Sequence, residues 1–360
     1  MPCVWPMKVL WLREHFSWMG RHSGYEQLCG ALETNPELSY AVVYRDEARP
    51  VRWWHEWCLK MDREASPFYT AHSLSAELAA VRHVLTHAYD LVHVLYAENV
   101  LDRLGSVCRA RRIPLLCTVH QPPSWWMEDP ERLRLLRHAD GILTLTGEME
   151  TFMGDRTAAR VWRVPHGVDT AFFRPMQSEA PNSEPHCLFS GSWLRDFKTL
   201  RAVIDRVKVL RPEVRFDLLI GARLLKHPDL DGLQDDPRVS CFRGIGDEEL
   251  RSLYCQASVL LMPMLDCTAN NAVLEAMACG VPIVATDLPG LRDYVAPSFA
   301  KLFARGDAEG MSRAVVSVVN NHNERQTASA AARRHATEHF GWNRAADETF
   351  QIYRRLLARD

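Results

Sequence analysis

Residues 257–295 read ASVLLMPMLDCTANNAVLEAMACGVPIVATDLPGLRDYV, and their pattern decides the fold. ASVLLMPM is an apolar run closed by Pro and Asp, the pattern of a buried parallel strand. LDCTAN is a short polar loop. NAVLEAMAC carries apolar residues at helical spacing, and Gly280 supplies the stop. VPIVAT is the next strand. The stretch is therefore a βαβ unit whose helix opens at the C-terminal edge of a parallel sheet. Unpaired backbone N–H groups and the helix dipole favour an anion there. Thr268, Asn270 and Asn271 offer short side chains that cap the helix or meet a phosphate. Glu275 lies about one turn into the helix. A carboxylate there can accept hydrogen bonds from a ribose, or stand solvated on a structural crossover; spacing alone leaves both readings open.

The same alternation extends in both directions. In the first half, 7–12, 40–44, 91–95, 114–120, 140–146 and 160–164 read as strands, several of them followed by helical patterns. The stretch PMQSEAPNSEP, 175–185, is rich in Pro and Ser, lacks a hydrophobic period and reads as a linker. Strands resume at 186–190, 216–220, 239–242, 257–264, 281–286 and 299–303. Strands alternating with helices predict parallel sheets, hence an α/β protein with two doubly wound domains. Facing domains of this kind would leave a substrate cleft between them. From about 306 the chain reads as almost wholly helical. In FGWNRAADETFQIYRRLLAR, Trp342, Ala346, Phe350, Tyr353 and Leu357 fall near one helix face.

Composition narrows the class. The chain has 360 residues, 47% hydrophobic and 24% charged, with a net charge of −2. That suits a two-domain globular protein and gives no electrostatic case for nucleic acid or an anionic membrane. The ten cysteines include no C-x-x-C pair, so reduced thiols and a cytoplasmic location are expected. No apolar run approaches the ~20 residues of a membrane span, so membrane association is at most peripheral. The N-terminal residues MPCVWPMKVLWLREH do not read as a signal peptide. Phosphate P-loop and Ser-hydrolase patterns are not found.

The segment around LEAMACGVPIVAT resembles the donor-binding signature of glycosyltransferase family 4, a retaining family with the GT-B fold. Three further runs resemble that family in the expected order: RVPHGVDTAFFRP (163–175), LFSGSWLRDFKTL (188–200) and FRGIGDEELRSLYCQASVLL (242–261). The resemblance implies two Rossmann-like domains facing a central cleft. It places an N-terminal acceptor-side domain at 1–175, a linker at 176–185, a donor-side domain at 186–340, and a C-terminal helix, 341–360, crossing back to the first domain.

The resemblance also assigns sites. Glu275 would hold the ribose, with Cys267, Thr268, Ala269, Asn270 and Asn271 lining the donor. Cys267 stands where the family has a further Glu that touches the donor sugar. Gly191 and Lys198 match the diphosphate site; Ser192 replaces the family's Arg, and Arg195 is the substitute. Ser23 and Gly24 match the entry to the first helix, where backbone meets the donor phosphate. Arg243 and Gly244 would lie near the base. His120, in TVHQPP, would bind or steady the transferred sugar, with Gln121 where the family usually has Asp. His120, Lys198 and Arg195 are thus the expected catalytic set. The implied reaction is metal-independent transfer from a nucleotide diphosphosugar, UDP- or GDP-linked, to an acceptor hydroxyl on a glycan, glycolipid or small molecule. No resident cofactor or metal is expected. Cys267, Ser192 and Gln121 keep open an inactive nucleotide-sugar-binding subunit that partners another transferase. A GT-B phosphorylase or epimerase is a third reading. Trp-rich patches at 53–57 and 125–126 either line an acceptor site or belong to the core.

Overall fold

A computed structural model describes residues 6–16, 19–45, 68–101, 103–176, 184–221, 224 and 226–358. The Trp-rich patch at 53–57 and most of the linker lie outside the described residues. Two compact units emerge. One comprises Met1–Met19, Tyr25–His166 and Trp342–Asp360; the other comprises Gly20–Gly24 and Gly167–Gly341.

The first unit is built on β1 (Met7–Arg13), β2 (Leu38–Tyr44), β3 (Leu91–Val94), β4 (Leu115–Val119), β5 (Gly141–Thr144) and β6 (Arg160–Arg163). The order is β2-β1-β3-β4-β5-β6, with every pairing parallel. Val9, Leu10, Trp11 and Leu12 are all at most 1% exposed, as expected of a central strand covered on both faces. One face carries Leu10, Leu12, Val92, Val94, Leu115 and Cys117 into a common core. Trp11 points the other way, where its Nε1 donates to the Tyr353 hydroxyl at 3.2 Å. Tyr353 also meets His93 Nδ1 at 2.7 Å, and His93 Nε2 meets Thr118 Oγ1 at 2.8 Å. The helix Trp342–Leu357 is thereby bound to the sheet by a buried polar chain, and Phe350, Ile352 and Leu356 are buried along it. Leu356, and not Leu357, takes the buried position near its end.

The second unit has β7 (His186–Ser190), β8 (Arg215–Leu219), β9 (Val239–Phe242), β10 (Ala257–Met262), β11 (Ile283–Thr286) and β12 (Ala300–Phe303). Its order is β12-β11-β10-β7-β8-β9, again wholly parallel. Leu188, Leu260 and Met262 enter one core, while Cys187, Phe189, Val259 and Leu261 enter the core on the opposite face. Alternate side chains of one strand thus serve two apolar layers. Together the two sheets give an α/β architecture of doubly wound units.

Several strands stop short of the apolar runs that announce them. β10 ends at Met262, because Pro263 has no N–H to continue the ladder. His120 lies just beyond β4 and not within it. The units divide after His166, whereas the sequence suggests a boundary at 175. Val168 N donates to Phe340 O at 2.7 Å, and Arg333 donates to the carbonyls of Thr170 and Phe173. Those bonds hold 167–175 in the second unit. Trp125 and Trp126 are 5% and 0% exposed, so burial settles that pair as core and not as an acceptor lining.

Candidate active site

In a doubly wound sheet the ligand crevice opens at the C-terminal strand ends where the strand order reverses. In the second unit that point lies between β7 and β10. The loops leaving these two strands run side by side. Asp196 N donates to Pro263 O at 3.0 Å, Leu265 N donates to Leu194 O at 2.9 Å, and Arg195 and Met264 form an isolated antiparallel bridge. The structure thus brings Arg195 beside the loop that carries Cys267–Asn271, with Gly191, Ser192 and Lys198 flanking it along the chain.

Gly191 has φ +98°, in the left-handed region that favours glycine. A Cβ there would stand 2.6 Å from Arg195 Nη2, so the guanidinium folds back over the start of its own loop. Arg195 Nε donates to Ser190 O and Nη1 to Trp193 O, both at 3.0 Å. Burial lowers its pKa to about 10, which leaves it charged at neutral pH. Ser192 is exposed and supplies no charge. Lys198 is exposed on the first turn of the helix Phe197–Leu210, whose cap Asp196 accepts from Thr199 N at 3.0 Å. Neither Arg195 nor Lys198 has a carboxylate partner among the described residues.

Across the crevice, Asn270 caps the helix Asn271–Ala278 by accepting from Val273 N at 3.3 Å. Cys267 and Thr268 are buried, and Ala269 and Asn271 are half-buried. Glu275 is 5% exposed. Its Oε1 accepts from Ser23 Oγ at 2.6 Å and its Oε2 from Tyr254 OH at 2.8 Å. Burial is the main cause that raises its pKa to about 7, against the two hydroxyl donors that lower it. Tyr254 also bonds Ser190, so a continuous polar chain runs from Ser23 through Glu275 and Tyr254 to the Arg195 loop. The sequence reading places Tyr254 in a motif but gives it no role. Its signal is helical spacing, which puts it on the inward face of Asp247–Gln256.

Gly24 has φ +89°. It ends a short segment held in the second unit by three contacts. Arg21 N donates to Asp247 Oδ2 at 2.9 Å, His22 Nδ1 lies 2.7 Å from Asp169 Oδ2, and Ser23 reaches Glu275. Arg243 and Gly244 follow β9, two strands from β7, and both are exposed; Gly244 has φ +59°.

His120 belongs to the first unit, just past β4. It is half-buried and its ring stacks on Tyr96 at 4.3 Å. Its Nε2 lies 2.7 Å from Leu95 O. A carbonyl only accepts, so Nε2 carries the proton. Burial pushes the imidazole pKa down to about 3, and the ring is neutral. It can exchange hydrogen bonds with a substrate but brings no positive charge.

Among the described residues no group of three or more His, Cys, Asp or Glu is disposed to hold a metal ion, and no helix is long and apolar enough to cross a membrane.

Residues 184–321 match the family described as "Glycosyl transferases group 1". The MMP alpha-(1->4)-mannosyltransferase of Mycolicibacterium hassiacum is 26% identical over 303 residues, which span 75% of this chain and 72% of that protein. In structure, the sucrose-phosphate synthase of Thermosynechococcus elongatus superposes with a TM-score of 0.75 at 20% identity, over 98% of this chain and 99% of its own. The Anabaena protein HepE in complex with UDP-glucose gives 0.73 at 16% identity, over 97% and 100%. Fold and matched sequence together define the class of enzyme: a glycosyltransferase with the GT-B architecture.

Proposed function

We propose that the chain is a retaining transferase of the family 4 type that takes its sugar from a nucleotide diphosphosugar without a metal ion. The observation that carries this reading is the second unit's switch-point crevice. There Arg195 stands on the loop beside the one that leads to the Glu275 helix, and Lys198 on the first turn of the helix that follows, neither with a carboxylate partner among the described residues. Arg195, Lys198 and the N-terminus of Asn271–Ala278 would hold the diphosphate, Glu275 the ribose, Ser23 and Gly24 the phosphate approach, and Arg243–Gly244 the base. The UDP-glucose bound to the similarly folded Anabaena protein supports a UDP-linked donor. The first unit would take the acceptor.

In the reaction, the bond from the anomeric carbon to the diphosphate oxygen breaks and a bond to the acceptor oxygen forms on the same sugar face. The acceptor proton passes to the leaving phosphate. Arg195 and Lys198 stabilise the negative charge that develops there. His120, as a neutral imidazole, would hydrogen-bond the transferred sugar. No nucleophilic side chain is needed on this path.

The buried thiol of Cys267 supplies no carboxylate to the sugar hydroxyls, which favours, as a second reading, a subunit that binds donor without transferring it. Calorimetry with UDP, GDP and their hexose conjugates, followed by NMR of the anomeric configuration of any product, tests both. Binding with an axial-to-axial transfer supports the proposal. Binding without turnover supports the second reading, and absence of binding by all of them overturns both.

A further inference from the structure

The segment that follows β3 contributes three successive holds on His120. Leu95 supplies the carbonyl that fixes the imidazole tautomer, and Tyr96 supplies the ring on which it stacks. Glu98, on the short helix Ala97–Val100, reaches the backbone. Its Oε1 accepts from His120 N at 2.5 Å and from Gln121 N at 2.8 Å. Glu98 is 2% exposed, so its carboxylate has left water to meet these amides. This is the switch point of the first sheet, between β1 and β3, where Leu95 N donates to Leu12 O at 3.0 Å.

An apolar side chain at 98 would cost less to bury. A desolvated carboxylate spent on two consecutive loop amides fixes the direction in which residues 120 and 121 leave β4. The sequence reading passes over YAEN (96–99), because nothing local links Glu98 to a loop more than twenty residues away.

We propose that Glu98 is a positioning residue that holds the His120–Gln121 backbone, and with it the His120 ring, in the geometry used for sugar transfer. The inference rests on the role given to His120 above. Glu98 itself touches no substrate. Burial raises its carboxyl to about 7, against the amides that lower it. Beside it stand the Cys117 thiol of β4, pushed up by burial, and the His120 imidazole, pushed down by burial. Both are neutral near pH 7. Protonation weakens its acceptor oxygen, and the hold slackens as the pH falls.

The test uses the full chain and reads amide hydrogen exchange at 115–121 in wild type and Glu98→Gln. Loss of protection by at least tenfold at His120 and Gln121, with Leu115–Val119 unchanged, is expected. Equal protection in both proteins would overturn the proposal. Should Glu98→Gln fail to fold, the wild type alone decides. After correction for intrinsic rates, protection at 120–121 should rise between pH 6 and 8, and a flat profile counts against the hold. With UDP-glucose as the probe, Glu98→Gln is expected to lower kcat about tenfold with KM within twofold, and to flatten the low-pH limb of kcat. Lost protection with unchanged kcat would refute the positioning role. Full turnover by His120→Ala would instead remove the function given to His120, while the exchange data would still report the Glu98 hold.

Discussion

Lys198 and Arg195 differ in how the fold treats them. Arg195 spends Nε and Nη1 on loop carbonyls, while Lys198 stands in solvent on a helix first turn. Lys198→Ala therefore removes charge without disturbing the loop. A charge-assisted contact is worth about 1.5–3 kcal/mol, so donor turnover should fall about ten- to a hundredfold with the unfolding midpoint unchanged. Steady-state kinetics checks this, and activity within twofold of wild type would take Lys198 out of the site.

Glu275 makes a prediction that needs no substrate. Its pKa is raised from the ordinary 4.5 to about 7, so between those values the folded protein holds a proton that the unfolded chain has lost. Its contribution to stability is present below about pH 4.5 and is lost as the pH rises through about 7. Glu275→Gln has no such titration. Relative to wild type, its stability should improve between pH 5.5 and pH 7.5, as read by urea unfolding at both. A constant difference would mean that Glu275 is solvated. The same substitution should raise the donor KM, because an amide accepts less strongly from ribose hydroxyls.

Among the elements, the helix Trp342–Leu357 shows how one polar contact fixes a long-range packing. Its apolar face would seat on the first sheet in several registers. Only one places Tyr353 OH between Trp11 Nε1 and His93 Nδ1. Tyr353→Phe keeps the ring and leaves both nitrogens short of a partner. Buried unsatisfied groups cost about 1–3 kcal/mol, so thermal unfolding should fall by several degrees. A variant as stable as wild type would show that the ring packing alone seats the helix.

For the whole molecule, the two units carry separate sheets and cores, and the proposed donor site lies in the second. A nucleoside diphosphate at about 100 times its Kd stabilises what it binds by about 2.7 kcal/mol. UDP should therefore slow hydrogen exchange across 186–303 and leave 91–119 unchanged. Protection gained first in the first unit would contradict the assignment. If Arg195 and Lys198 supply the charge, as proposed, transfer in EDTA should equal transfer with magnesium. Activity lost in chelator and restored by one divalent ion would shift that role to a metal.

The sequence by itself determined the alternation of strand and helix, the two parallel sheets and the loops that end at their C-terminal edges. These follow from local apolar period and from Gly and Pro punctuation, which need no knowledge of distant residues. It also singled out Gly191, Arg195, Lys198 and Glu275. Only the tertiary structure decided that Arg195 lays its guanidinium over Gly191, that Tyr254 shares Glu275 with Ser23, and that Glu98 holds the His120 loop. It also put Trp125 and Trp126 in the core and moved 167–175 into the second unit. Each of these depends on contacts between residues far apart in the chain or on which rotamer a long side chain adopts. Burial sets their energies, and burial is a property of the packed molecule that no local pattern contains.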